Sequence, residues 1–215
     1  MTVSDVESAR SALTDRFLAE DDVLRTARAR AAELGVPVPT PTAGATLRFL
    51  AAVLDAHSVV EVGTGTGVSG VWLLRGMRAD GVLTSVDGEP EHQRAAKETF
   101  RAANIAANRT RLIAGHAAEV LPRLTDSGYD LMWVSGDPTY YAEHLREAPR
   151  LLRAGGIVAF AEAFGGGTVL DPAARDPRTM ALRDLSTTLV ESEQFAAVFL
   201  PVGGGILAAT KRAPR

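Results

Sequence analysis

The chain has 215 residues, 46% hydrophobic and 23% charged, enough to close an apolar core without cross-links. It has no cysteine, which excludes disulfides, thiolate nucleophiles and thiolate metal sites. A formal net charge of -3 argues against nucleic acid as a partner, and no run of about 18 apolar residues offers a membrane span.

The segment from Met1 to Glu20 is polar and charged, without the apolar stretch of a signal peptide, so a cytoplasmic protein is expected. Residues 4–35 read as helix with a break around Ala19 to Asp22, because Phe17, Leu18, Val23, Leu24, Ala27 and Leu34 recur near helical spacing. Gly35 ends the second helix, and Pro37, Pro39 and Pro41 force an extended connector. Residues 42–56 form a further helix with Leu47, Leu50, Val53 and Leu54 on one face. Strands then alternate with helices. The strands are 58–62, 82–87, 110–114, 130–134 and 155–161, and the helices 69–79, 91–104, 118–124 and 140–152. Such alternation predicts parallel β-α-β units and a doubly wound, Rossmann-like α/β sheet. A helix over 178–193 leads to strands 195–201 and 206–211, joined by Val202-Gly203-Gly204-Gly205, which predicts an antiparallel hairpin. One domain is expected over 1–215, with 1–38 as a helical cap or dimerisation segment and 39–215 as the core. The stretch from Ala163 to Pro177 is long and glycine-rich, and is expected to move as a lid.

The strongest local signal is Glu61-Val62-Gly63-Thr64-Gly65-Thr66-Gly67-Val68-Ser69, which follows a predicted strand and opens a predicted helix. Glycine there lets the chain turn tightly and lets a ligand approach the main chain. A dinucleotide fingerprint needs a third glycine where Val68 stands, although Asp87, at the end of the next strand, suits a ribose in either class. No Gly-Lys-Ser/Thr run follows, which excludes a nucleoside triphosphate P-loop.

These residues resemble motif I of class I S-adenosylmethionine-dependent methyltransferases, and most closely the catechol and caffeoyl-CoA O-methyltransferase-like family, in a divergent high-GC bacterial branch. The resemblance runs from about Pro39 to the C-terminus. It includes Leu83-Thr84-Ser85-Val86-Asp87 with Glu89-Pro90, Leu112-Ile113-Ala114-Gly115-His116-Ala117, Tyr129-Asp130-Leu131 and Leu151-Leu152-Arg153-Ala154-Gly155-Gly156. It implies S-adenosylmethionine as cofactor, a small-molecule acceptor and a homodimer. It also implies roles: Glu61 and the backbone of Gly63, Thr64 and Gly65 line the methionine end, Ser69 binds its carboxylate at the helix N-terminus, and Asp87, beside Gly88, holds the ribose. Gly115, His116 and Ala117 border the adenine, and Pro39 offers a backbone contact.

The pattern departs from the family at its metal site. Members carry Asp-Ala-Asp-Lys after strand four and Asp-Asn after strand five; this chain reads Ser135-Gly136-Asp137-Pro138 and Ala161-Glu162. Only Asp137 and Tyr141 survive, so no metal ligand is assigned. Asp137 and Glu162 alone would make a thin shell for magnesium. Without a cation, positioning supplies the rate and Asp137 is the candidate base, with His144 or Glu162 behind it. Asp137 before Pro138 equally fits a turn initiator or helix cap. His57 and His92 read as solvated, His144 as structural or catalytic, and Trp72 and Trp133 as core. Two other functions remain open: a catalytically silent cofactor-binding protein of this fold, and an NAD-dependent oxidoreductase, against which the hairpin counts.

Overall fold

The computed structural model describes residue 9 and residues 12–213. Residues 12–17 are helical (α1), and α2 (Asp22–Leu34) begins where the Asp21 carboxylate accepts the Leu24 N–H at 3.0 Å. It stops at Gly35, whose φ of 67° favours glycine. The extended connector ends at Thr40, which caps α3 (Pro41–Val53). Strands and helices then alternate: β1 (Ser58–Val62), α4 (Val68–Gly76), β2 (Val82–Asp87), α5 (Pro90–Ala102), β3 (Thr110–Ala114), the single turn α6 (Ala117–Val120), β4 (Tyr129–Val134), α7 (Tyr141–Leu151) and β5 (Leu152–Phe160). α8 (Pro177–Val190), β6 (Phe195–Leu200) and β7 (Ile206–Lys211) complete the order.

The seven strands form one sheet in the order β3-β2-β1-β4-β5-β7-β6. The first five are parallel, while β7 runs antiparallel to both β5 and β6. The predicted doubly wound sheet and its reversed hairpin are therefore both present. Helices cover both faces. Leu24, Leu47, Trp72, Leu73 and Phe100 pack one layer from α2 to α5, and Tyr141, Leu151, Leu182, Leu185 and Leu189 pack the other from α7 and α8. Trp72 and Trp133 are buried, as expected of core residues. Strand order reverses between β1 and β4, so the carboxyl ends of these two strands open a crevice, the usual place for a ligand in such sheets. Among the described residues no helix is long and apolar enough to cross a membrane.

The 163–177 segment, expected as a lid, has local structure of its own. It holds a 3-10 turn (Gly165–Leu170), and the Arg183 guanidinium from α8 donates to the carbonyls of Thr168, Val169, Asp171 and Ala174. One fixed cation gathers the carbonyls that the glycine-rich chain would otherwise leave to solvent.

α3 and α4 approach closely, because a Cβ on Gly76 would collide with the backbone carbonyl of Arg48. Gly76→Ala should therefore lower the unfolding free energy by about 1–3 kcal/mol. Chemical denaturation checks this, and an unchanged midpoint would contradict the packing.

Candidate functional site

The glycine loop leaves β1 with Gly63 at φ 88°, and a Cβ there would collide with the Ser135 side chain. Glycine is thus required both for the turn and for the close approach of the β4 end. The loop is tied down at three points: Gly63 N–H donates to the Val86 carbonyl at 2.9 Å, Gly65 N–H to Asp87 Oδ2 at 3.0 Å, and Thr66 Oγ1 to the Ala27 carbonyl at 2.9 Å.

Behind the loop lies a buried polar chain. Gln93 Nε2 donates to Thr64 Oγ1 at 3.0 Å, and Thr64 Oγ1 lies 2.7 Å from Ser85 Oγ. Ser85 Oγ donates to Glu61 Oε2 at 2.6 Å, and Ser69 Oγ to Glu61 Oε1 at 2.5 Å. Since Ser85 gives its proton to Glu61, it accepts from Thr64, so every donor in the chain points toward one carboxylate. Burial pushes the Glu61 carboxyl up to about 7, although the Ser69 and Ser85 hydroxyls favour its charged form; the nearby Asp87 charge adds to the rise.

Two cavities flank the loop and share Gly63 and Ser135 in their walls. One, of about 640 Å³, is large enough for a nucleoside and is lined by Asp87, Gly88, Gly115, His116, Ala117, Asp137 and His144. The other, of about 240 Å³, is lined by Pro39, Gly65, Ser69, Trp133, Glu162 and Arg178. Glu61 lines neither cavity; it sits behind the loop and buttresses it. The Ser69 hydroxyl hydrogen is committed to Glu61. The Pro39 carbonyl accepts from Arg28 Nη2 at 2.7 Å, and Arg28 also pairs with Glu20 at 2.6 Å.

The three candidate catalytic residues do not share a cavity. Asp137 and His144 lie on the Asp87 side and Glu162 on the other. Glu162 follows β5 with φ 54°, a strained conformation for a side-chain-bearing residue. Its carboxylate lies against Gly204, where a Cβ would collide with it, and has no hydrogen-bond partner among the described residues. Tyr141 packs on Phe160 with ring centroids 5.3 Å apart. Burial and the charge of Glu162 drive its hydroxyl well above the usual tyrosine range, so it stays protonated.

Sequence reasoning missed three residues. Arg178, the one cation lining the Glu162 cavity among the described residues, carries no motif. Gln93 anchors the loop from α5. His92, read as solvated, instead places Nδ1 3.2 Å from both oxygens of Asp87.

The profile of the O-methyltransferase family matches residues 8–212 of the chain. The chain belongs to the O-methyltransferase family. A Mycobacteroides abscessus relative named "Putative O-methyltransferase" is 49% identical over 194 residues, covering 90% of each chain. Among solved structures, a Corynebacterium glutamicum protein superposes with a TM-score of 0.85 at 31% identity, covering 91% of this chain and 92% of its own. The O-methyltransferase TomG of Streptomyces achromogenes, involved in tomaymycin synthesis and solved with S-adenosylmethionine, shares the fold with a TM-score of 0.86. Its identity is 24%, over 99% of this chain and all of its own.

The family's divalent cation does not fit the residues present. Of its expected ligand positions, Ser135 donates its hydroxyl to the carbonyls of Val62 and Gly63, and Ala161 has no donor atom on its side chain. Glu162 is left alone there, and no group of three or more His, Asp or Glu side chains able to hold a metal occurs among the described residues.

Glu61 has a stability consequence. Its folded pKa, about 7, lies above its ordinary 4.5, so between these values the unfolded chain loses the proton first and stability falls as pH rises. The loss is complete above pH 7 and on the order of 3 kcal/mol. Glu61→Gln should lose correspondingly less stability between pH 4.5 and 8. Equal losses in variant and parent, measured by urea unfolding, would contradict this.

Proposed function

We propose that the chain transfers the methyl group of S-adenosylmethionine to a hydroxyl oxygen of a small acceptor, a phenol or related alcohol, without a resident divalent cation. The observation that carries this is the single glycine loop walling two cavities, one with Asp87 and the other with an unpaired Glu162. A cofactor laid across Gly63 has its ribose beside Asp87 and its methionine end beside Gly65 and Ser69. TomG, of the same fold, holds this cofactor. The Asp87 cavity is lined by Asp87, Glu89, Glu119, Asp137 and Glu143 and, among the described residues, by no lysine or arginine. That field favours a cationic sulfonium and opposes a pyrophosphate, which counts against a dinucleotide.

When bound, the cofactor supplies a methyl group on a positively charged sulfur, already activated for displacement. The chain's own residues position the acceptor and manage its proton. Pro37, Val38, Trp133 and Ile206 supply apolar wall around the Glu162 cavity and exclude water. Glu162, unpaired and held by Gly204, accepts the hydroxyl proton as the oxygen attacks. Asp137, on the nucleoside side, is not needed as base. Pro37 and Val38 line the same cavity, which supports reading the segment before residue 39, as far as it is described, as its cap and the residues from 39 on as the core; residues 1–8, 10 and 11 of that cap lie outside the described residues. A homodimer belongs to this reading: Phe49 and Val53 of α3 are large apolar side chains left exposed, and sedimentation should show twice the chain mass.

Glu162→Gln keeps the size of the side chain but cannot take a proton. With the best acceptor from a panel of phenols and alcohols, kcat should fall about 100-fold or more while S-adenosylhomocysteine affinity stays within about threefold. An unchanged kcat would contradict Glu162 as base. A panel with no turnover at all would favour a silent cofactor-binding protein.

A further inference from the structure

The Glu162 cavity holds two opposite charges that do not meet. Glu162 follows β5, and Arg178 stands in the first turn of α8. Neither side chain makes a hydrogen bond or an ion pair among the described residues, with the other or with any third group. The buried Tyr141 hydroxyl senses both: burial raises its pKa, Glu162 raises it further and Arg178 lowers it. The carboxylate and the guanidinium thus lie near one hydroxyl as well as in one cavity wall.

Arg178 is poorly placed for the helix that carries it. The amino end of a helix has partial positive charge, favours acids in its first turn and is weakened by a cation. The cap residue Asp176 does not neutralise it. One Asp176 oxygen accepts the Thr179 N–H at 3.0 Å and the other the Thr179 hydroxyl at 2.7 Å. A guanidinium held there gains from an anion that arrives with a ligand, and its planar fork suits a carboxylate.

The bound state points the same way. The amino-acid end of S-adenosylmethionine is neutral overall, but its sulfonium adds a positive charge. Guanidinium and sulfonium then face the single carboxylate of Glu162. A neutral phenol leaves that surplus, whereas an acceptor with its own carboxylate removes it. At about 240 Å³ the cavity falls below the roughly 300 Å³ at which drug-sized sites begin, so its scale is that of one small ring.

We propose that the acceptor is a small hydroxylated carboxylic acid, its carboxylate paired with the Arg178 guanidinium and its hydroxyl presented to Glu162. One hydroxyl suffices, since the residues present hold no cation for two hydroxyls to chelate. The hydroxyl oxygen bonds to the methyl carbon as the carbon–sulfur bond breaks, and its proton passes to Glu162. The products are a methoxy acid and S-adenosylhomocysteine, and the carboxylate stays on Arg178 throughout. This rests on the methyl-transfer reading above and makes Arg178 a specificity-determining residue for it.

The test supplies the full chain with S-adenosylmethionine and with hydroxybenzoates and hydroxyphenylacetates, each beside its methyl ester. The best acid should exceed its ester about tenfold or more in kcat/KM. Arg178→Met keeps much of the side-chain length without the charge, and the acid-to-ester ratio should fall to about one, mainly through KM. Arg178→Lys restores the charge without the fork and should recover part of the ratio. Arg178 is exposed, so both variants leave the fold intact, and calorimetry should find their S-adenosylhomocysteine affinity within about threefold of the parent. Esters or neutral phenols turned over as well as the acids, or an Arg178→Met variant that keeps the parent's ratio, overturn the proposal. A large loss of S-adenosylhomocysteine affinity in Arg178→Met also overturns it, because the guanidinium then serves the cofactor's carboxylate; methyl transfer itself stands in each of these cases. A parent that methylates no acid, ester or phenol overturns the methyl-transfer reading, and the proposal with it.

Discussion

Glu61 is a carboxylate that no water reaches, and the geometry of the loop depends on satisfying it. A buried carboxylate is tolerated only when donors converge on it. Here the donors come from the helix start (Ser69) and the neighbouring strand (Ser85), with Thr64 and Gln93 extending the chain to the loop and α5. One charge therefore ties β1, β2, α4, α5 and the loop into one body. Its raised pKa shows that burial outweighs those donors, so the network holds the loop in place at a cost in stability.

That loop separates two cavities. The same loop delivers Gly65 N–H to Asp87, fixing the ribose-type carboxylate on one side, and stacks Gly63 against Ser135 on the other. Asp87 is further held by the Glu89 N–H and by His92. Across the Gly63–Ser135 wall stands Glu162, strained in its backbone and admitted by Gly204, just past the end of β5, the parallel strand on which the antiparallel β7 pairs. The antiparallel hairpin is thus part of the Glu162 cavity, because Gly204 lies in its turn. Among the described residues that cavity holds one carboxylate and one guanidinium in a largely apolar wall.

Much of the fold was legible because its signals are local. Strand β1, its glycine loop and the closing hairpin announce themselves within a few residues, and the structure places them at or near the expected positions. What failed was non-local. β5 begins at Leu152, earlier than its glycines suggest, because Leu152 already pairs with Tyr129 across an irregular register. Nothing in the glycine-rich 163–177 stretch itself signals that Arg183, on a later helix, donates to its carbonyls. Asp137 and Glu162 read as one pair of acids, yet Gly63 and Ser135 divide their cavities. Arg178 and Gln93 gave no signal, since their roles come from where α8 and α5 dock. His92 gave a polar helix position that fits solvent as well as it fits Asp87.

The most direct test of this account is a calorimetric titration of the purified chain with S-adenosylhomocysteine, first in EDTA and then in magnesium. The account predicts binding of equal affinity in both. No binding in either condition, or binding that appears only with magnesium, would contradict it.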